Sequence, residues 1–232
     1  MARRSLLLVI ACLLPACAPD FPRVMRIDDS FDAYEEAAIL KMFEEANKTG
    51  QELIGRDLFK YGGRYRDTDG FDLDDLGDDV SVIYELNQPD RNYQYLVETG
   101  DDDGTPLGYG PQNDVLVFAF NMPQVDPEGF ICLSAVLAAE IEKWRAENPP
   151  EEGETRDPIE VCADPSFPMY LPALQSVVLH ELGHVIGLGH IDDKDALMYP
   201  YSNGLTKFTA IDKGAFCCLY ECLTDRYECP YQ

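Results

Sequence analysis

The chain has 232 residues, with 18 Lys and Arg against 43 Asp and Glu, a formal net charge of −25 and 46% hydrophobic residues. That apolar share suits one compact domain with a sizeable core and is too large for a disordered chain. So acidic a surface argues against nucleic acid as a partner, because phosphate binding needs basic patches.

At the N-terminus, Arg3 and Arg4 precede the apolar run Leu6 to Leu14. A run of about nine residues is too short to span a bilayer and has the form of a secretory signal that is cleaved off. It ends in Leu14-Pro15-Ala16-Cys17, which resembles the lipobox of bacterial lipoproteins, with Cys17 as the residue to be lipidated. Pro15 departs from the usual small or aliphatic residue there. Ala18 in place of Asp after the cysteine resembles lipoproteins sorted to the outer membrane of Gram-negative bacteria. The expected organisation is a signal peptide over 1–16, a lipid-anchor tether over 17–22 and a single domain over 23–232. The domain would be exported and held at the outer membrane or cell surface, or otherwise secreted. Loss of Arg3 and Arg4 with the signal takes the net charge to −27. No second apolar stretch is long enough to cross a membrane.

Val24 to Ile27 reads as a first strand. Asp32 with Glu35 is a capping-box pattern that opens an amphipathic helix to about Lys48, with Tyr34, Ala38, Met42 and Ala46 along one side. The first strand begins within ten residues of Cys17, so no inhibitory propeptide is expected between them. The acidic stretch Asp67 to Asp75 invites a calcium reading, but its spacing is not that of an EF-hand. It reads as a solvated loop, as do Asp101-Asp102-Asp103 and the group Asp192, Asp193 and Asp195, leaving calcium possible but unsupported. Val80 to Leu86 and Asp114 to Phe120 read as strands by their β-branched and aromatic content. Residues 133–147 read as a second apolar-faced helix, followed by a Pro/Glu loop over 149–160.

All three histidines fall within His180-Glu181-Leu182-Gly183-His184-Val185-Ile186-Gly187-Leu188-Gly189-His190. Val177 to Ile186 reads as helix, and at ~100° per residue His180 and His184 lie one turn apart on one face. A helix continued to His190 would carry the third imidazole ~9 Å further along and ~120° around. The chain must therefore turn, and Gly187 can take the left-handed conformation that ends a helix. Three neutral nitrogens leave a fourth tetrahedral position for water, the arrangement of a catalytic zinc site. Glu181 is placed to take the proton of that water as it attacks a polarised carbonyl.

This pattern resembles the active-site helix of the metzincin proteases, and most closely the matrixin branch. Ala196-Leu197-Met198-Tyr199-Pro200 looks like the matrixin methionine turn, and Leu205 to Tyr220, with Asp212, Gly214, Leu219 and Tyr220, is similar to the closing helix of that fold. The resemblance is specific over about 170–220. It implies an α+β fold with a twisted mixed sheet packed on the active-site helix, and Met198 beneath the zinc ligands. It also implies a specificity-pocket wall containing Pro200 and Tyr201, and an edge strand of the sheet lying along the cleft, for which Val115 to Phe120 is the candidate. Ile191 stands where matrixins usually have Ser. No histidine is left for a structural zinc, so a single catalytic zinc is expected. Pro200 replaces the tyrosine that can ligate the metal in astacins and serralysins.

Outside the signal and the lipobox stand six cysteines, Cys132, Cys162, Cys217, Cys218, Cys222 and Cys229, an even number suited to three disulfides in an oxidising compartment. Fifteen connectivities are possible. The guess is Cys132 with Cys162, and the four C-terminal cysteines among themselves. A second metal site from those four is the alternative, although adjacent cysteines fit zinc spacings poorly. The expected function is an exported, monomeric zinc endopeptidase acting on proteins or peptides. The alternative is a catalytically inactive surface lipoprotein that uses the same scaffold for binding.

Overall fold

The computed structural model describes residues 21–66, 80–86, 108–109, 113–126, 128–150, 155–156, 158–163 and 167–230. In chain order they form β1 (Arg23–Asp28), α1 (Ala33–Ile54), β2 (Phe59–Tyr65), β3 (Ser81–Leu86), β4 (Gly108–Tyr109) and β5 (Val115–Phe118). A 3-10 turn over Ala119–Asn121 follows, then β6 (Gln124–Val125), β7 (Ile131–Cys132), α2 (Ala135–Glu147), α3 (Leu171–Val185) and α4 (Ala210–Leu219). The fold is mixed α+β. Cys17, Asp67 to Asp75, Asp101 to Asp103 and part of the 149–160 loop lie outside the described residues.

The main sheet has the order β2-β1-β3-β5-β4, parallel except for the antiparallel edge strand β4. The strand expectation for 115–120 needs correction here. β5 ends at Phe118, and it is an interior strand between β3 and β4 with all four residues buried. The edge belongs to Gly108–Tyr109, a segment whose glycines and prolines give no strand signal in sequence. Both sheet faces are apolar at the centre, as covered parallel strands require. Met25, Ile27, Ile83, Val115 and Val117 face the core shared with the helices. Val82, Tyr84, Leu116 and Phe118 form a second cluster on the other face.

α1 opens with the capping box at Asp32 and Glu35 and runs past Lys48 to Ile54, closed by left-handed Gly55. Tyr34, expected on its apolar side, is 76% exposed. Glu35 is buried instead, because its carboxylate turns back to accept the Asp32 N–H at 2.8 Å. Burial pushes the Glu35 carboxyl up, and the group also meets the Met169 backbone, joining the start of α1 to the entry of α3. Asn47 docks β2 on α1 by accepting the Leu58 and Phe59 N–H groups, each at 2.9 Å, and donating to Phe59 O at 2.9 Å.

The entry to α3 is fixed from outside the helix. Tyr170 N–H donates to Pro123 O at 2.7 Å and Val125 N–H to Pro168 O at 3.0 Å. Pro172 sits in the first turn, where its missing N–H costs nothing, so the helix begins at Leu171, six residues before the expected start. α2 packs against the 119–121 turn, and β7 before it is tied to the segment after α2 by the disulfide Cys132–Cys162. The other two disulfides are Cys217–Cys222 and Cys218–Cys229. The four C-terminal cysteines are thus consumed as two bridges, and the alternative of a second metal site from them is overturned.

Candidate metal centre

α3 carries His180 and His184 one turn apart, with ring centroids 4.9 Å apart. Both rings are held by carbonyls. His180 Nδ1 lies 2.8 Å from Leu197 O, and His184 Nδ1 lies 2.8 Å from Leu188 O. A carbonyl can only accept, so each Nδ1 carries the proton and Nε2 is the ring nitrogen whose lone pair can face a metal.

The chain then turns as the third ligand requires. Leu188 N–H donates to Gly183 O at 3.0 Å and Gly187 N–H to His184 O at 2.8 Å, the two bonds of a Schellman closure. Gly187, at φ 91°, supplies the left-handed residue. The reversal brings His190 Nε2 to 3.2 Å from His184 Nε2. Two nitrogens bound tetrahedrally to one zinc at 2.0–2.1 Å lie about 3.3 Å apart, so the donor set fits. All three ligand atoms lie within 4.8 Å of one another, and among the described residues this is the only group of three or more His, Cys, Asp or Glu that close. Asp192, Asp193 and Asp195 are exposed on the next loop and do not join it.

Burial, with His184 adding in the same direction, pushes the His180 imidazole down to about 4. In an unfolded chain it titrates near 6.5. A folded pKa below the unfolded one stabilises the fold fully above about 6.5, and that contribution is lost as pH falls from there towards about 4. Metal-free protein is therefore expected to unfold at lower urea concentration at pH 5.5 than at pH 7.5, and His180→Asn to lose part of that difference. Equal midpoints for the unsubstituted protein at the two pH values would contradict the burial argument.

Beneath the ligands, Met198 is fully buried and fills the space over Gly183, where any side chain would overlap its sulfur. Sequence reasoning quoted Asp212 only as part of the closing helix, yet it organises this floor. Its Oδ2 accepts Leu197 N–H at 2.9 Å, Thr209 N–H at 2.8 Å and Thr209 Oγ1 at 2.7 Å, and its Oδ1 accepts Met198 N–H at 3.0 Å. Leu197 in turn holds His180, so one carboxylate on α4 orients a ligand on α3. Ile191, where a serine was expected from the resemblance, is buried, and its N–H donates to Met198 O at 2.9 Å. Pro200 and Tyr201 are exposed, and Tyr201 pairs with Tyr199 at 5.5 Å between ring centroids. Asn203 Nδ2 donates to Ala196 O at 2.6 Å and Lys194 O at 3.1 Å, fastening this segment to the loop after His190.

Glu181 is 6% exposed, on the turn between the two helical histidines. Edge strand β4 presses against it. A Cβ at Gly108 would stand 2.6 Å from Val177 Cγ1, 2.8 Å from Glu181 Oε1 and 2.9 Å from Glu181 Cγ. Sequence reading missed Gly108 altogether, since its partners lie on an element far along the chain. Gly108→Val should push β4 off α3 and destabilise the fold by about 1–3 kcal/mol, the usual cost of overpacking a tight contact, read as a lower urea midpoint. An unchanged midpoint would show that this approach is unimportant.

The matrixin family model matches residues 120–216. A segment of 27 residues is 67% identical to metalloendoproteinase 4-MMP of Arabidopsis thaliana, covering 12% of this chain and 8% of that protein. Over these residues the chain is similar to the matrixins, and it spans 8% of the length of that relative.

Proposed function

We propose that this protein is an exported, lipid-anchored zinc endopeptidase that cleaves protein or peptide chains as a monomer. The observation that carries the reading is the donor set: two imidazoles with Nδ1 committed to carbonyls, a third delivered by the Gly187 turn, and a buried carboxylate at Glu181 between the first two. His180, His184 and His190 would hold the zinc, with one position open to substrate and water. When bound, the metal acidifies water and polarises the scissile carbonyl. Glu181 takes the proton of the attacking water and delivers it to the departing amide nitrogen, with no covalent intermediate on the protein.

Among the described residues β4 is the edge strand, so an extended substrate would add beside it, next to α3, through N–H and C=O groups. Backbone pairing of that kind gives affinity with little sequence demand, and Pro200 and Tyr201 would form a wall of the pocket that reads a side chain. The lipobox-like Leu14 to Cys17 supports membrane attachment, and three disulfides support an oxidising compartment.

The reading is tested with purified, oxidised, zinc-loaded protein on a mixed peptide library read by mass spectrometry. Cleavage that stops with chelator and returns with zinc is the expected result. A folded, zinc-bound protein that cuts nothing in the library would count against a broad endopeptidase.

A further inference from the structure

The last carbonyls of a helix have no partner within it. The Schellman closure of α3 satisfies those of Gly183 and His184, but not that of Ile186, which ends the helix immediately before the left-handed Gly187. A side chain from another element fills this gap: Tyr220, just past α4, donates its hydroxyl to Ile186 O at 2.6 Å.

The tyrosine is itself held firmly. Its ring lies 4.5 Å from that of Phe216 and 5.6 Å from that of Phe21, edge-on to the latter. Its own N–H donates to Phe216 O at 3.0 Å. Burial pushes the phenol up, so the hydroxyl keeps the proton it donates. The disulfide Cys217–Cys222 closes a loop of the chain around Tyr220. The hydroxyl also stands 3.5 Å from where a Cβ at Gly187 would be, and Leu219 Cδ1 3.7 Å from it, so the turn is backed directly by this segment.

We infer that Tyr220 is a positioning residue for the metal centre, its hydroxyl fixing the Gly187 turn that presents His190, and that the Cys217–Cys222 loop acts on the metal through it. His190 is the exposed ligand and the one not carried by α3. Its placement depends on the turn, and the turn depends on a carbonyl anchored from α4. The inference rests on zinc binding by the three histidines and not on peptide cleavage.

The experiment measures zinc affinity of the full-length folded protein by competition with a fluorescent chelator, beside circular dichroism of the metal-free form. Tyr220→Phe keeps the ring and its packing and deletes the hydroxyl alone. It should weaken zinc binding about tenfold, the lower end of what loss of a supporting hydrogen bond around a metal site costs. Tyr61→Phe, which deletes a hydroxyl bonded to Glu36 between β2 and α1, should leave zinc affinity unchanged.

Replacing Cys217 and Cys222 together by Ser, with Cys218–Cys229 intact, should weaken zinc binding to a similar degree. Combined with Tyr220→Phe it should remain near tenfold and not reach about a hundredfold, because residues acting in series are not additive. Zinc affinity within twofold of the unsubstituted protein in folded Tyr220→Phe overturns the inference, even if thermal stability falls. Full additivity overturns the part assigned to the disulfide loop. Failure of the unsubstituted protein to bind zinc would instead overturn the metal reading itself, and with it this inference.

Discussion

Glu181→Ala is expected to lower kcat/KM for peptide cleavage by roughly 10²–10⁴-fold, the usual share of a positioned general base, which corresponds to about 3–5 kcal/mol of transition-state stabilisation. Zinc should stay bound at full stoichiometry, because all three ligands and their supporting carbonyls are untouched. Glu181→Gln tests the same point with the side-chain shape preserved. The pair of measurements, metal content by atomic absorption and turnover on a cleaved peptide, separates proton transfer from metal binding. Cleavage persisting in either variant at near the original rate would remove Glu181 from the mechanism. Loss of zinc with loss of activity would recast it as a residue that supports the ligands.

Asp212→Ala should be among the most damaging substitutions away from the ligands. The carboxylate is fully buried and accepts from Leu197, Met198 and both donors of Thr209. Its removal strands buried backbone N–H groups at about 1–3 kcal/mol each and deletes the box that starts α4, for a total on the order of 4 kcal/mol. In a domain of this size that lowers the melting temperature by about 8–16 °C. The damage should reach the metal as well, since Leu197 O orients His180. Thermal unfolding and zinc affinity of Asp212→Ala are the measurements, with Asp212→Asn as the isosteric control. The amide has one acceptor oxygen where the carboxylate has two, so it should recover only part of the stability. A melting temperature within a degree or two of the original would mean that water or neighbouring groups take over the orphaned donors.

Some of this molecule is legible because the relevant physics is local. Two histidines four residues apart must share a helix face, and a third ligand six residues on cannot be reached without a reversal. That makes Gly187 readable as a turn from the spacing alone. The Asp32–Glu35 box is equally local, its partners being three residues apart. Where the local rule is incomplete the reading slips: periodicity places Tyr34 on the apolar side of α1, but the capping box turns Glu35 inward and leaves Tyr34 in solvent. The cleft strand slips for a different reason. Val115 to Phe118 has the strongest strand composition and for that very reason occupies the covered interior of the sheet. The edge among the described residues falls to Gly108–Tyr109, which gives no strand signal in sequence.

By itself, then, the sequence determined the candidate ligand set, the candidate base, the turn between the second and third histidines and the even count of cysteines, each set by spacing within about ten residues or by composition. The mixed α+β class came from the resemblance over about 170–220. Only the tertiary structure decided which strand borders the site, how the six cysteines pair, and what holds the ligands in register. Asp212 reaches Leu197 across 15 residues, Tyr220 reaches Ile186 across 34 and Gly108 meets Glu181 from another layer. Such contacts are made by elements docking through a shared apolar core. A buried carboxylate, a tyrosine hydroxyl or an absent side chain gains its meaning from the partner that docking supplies.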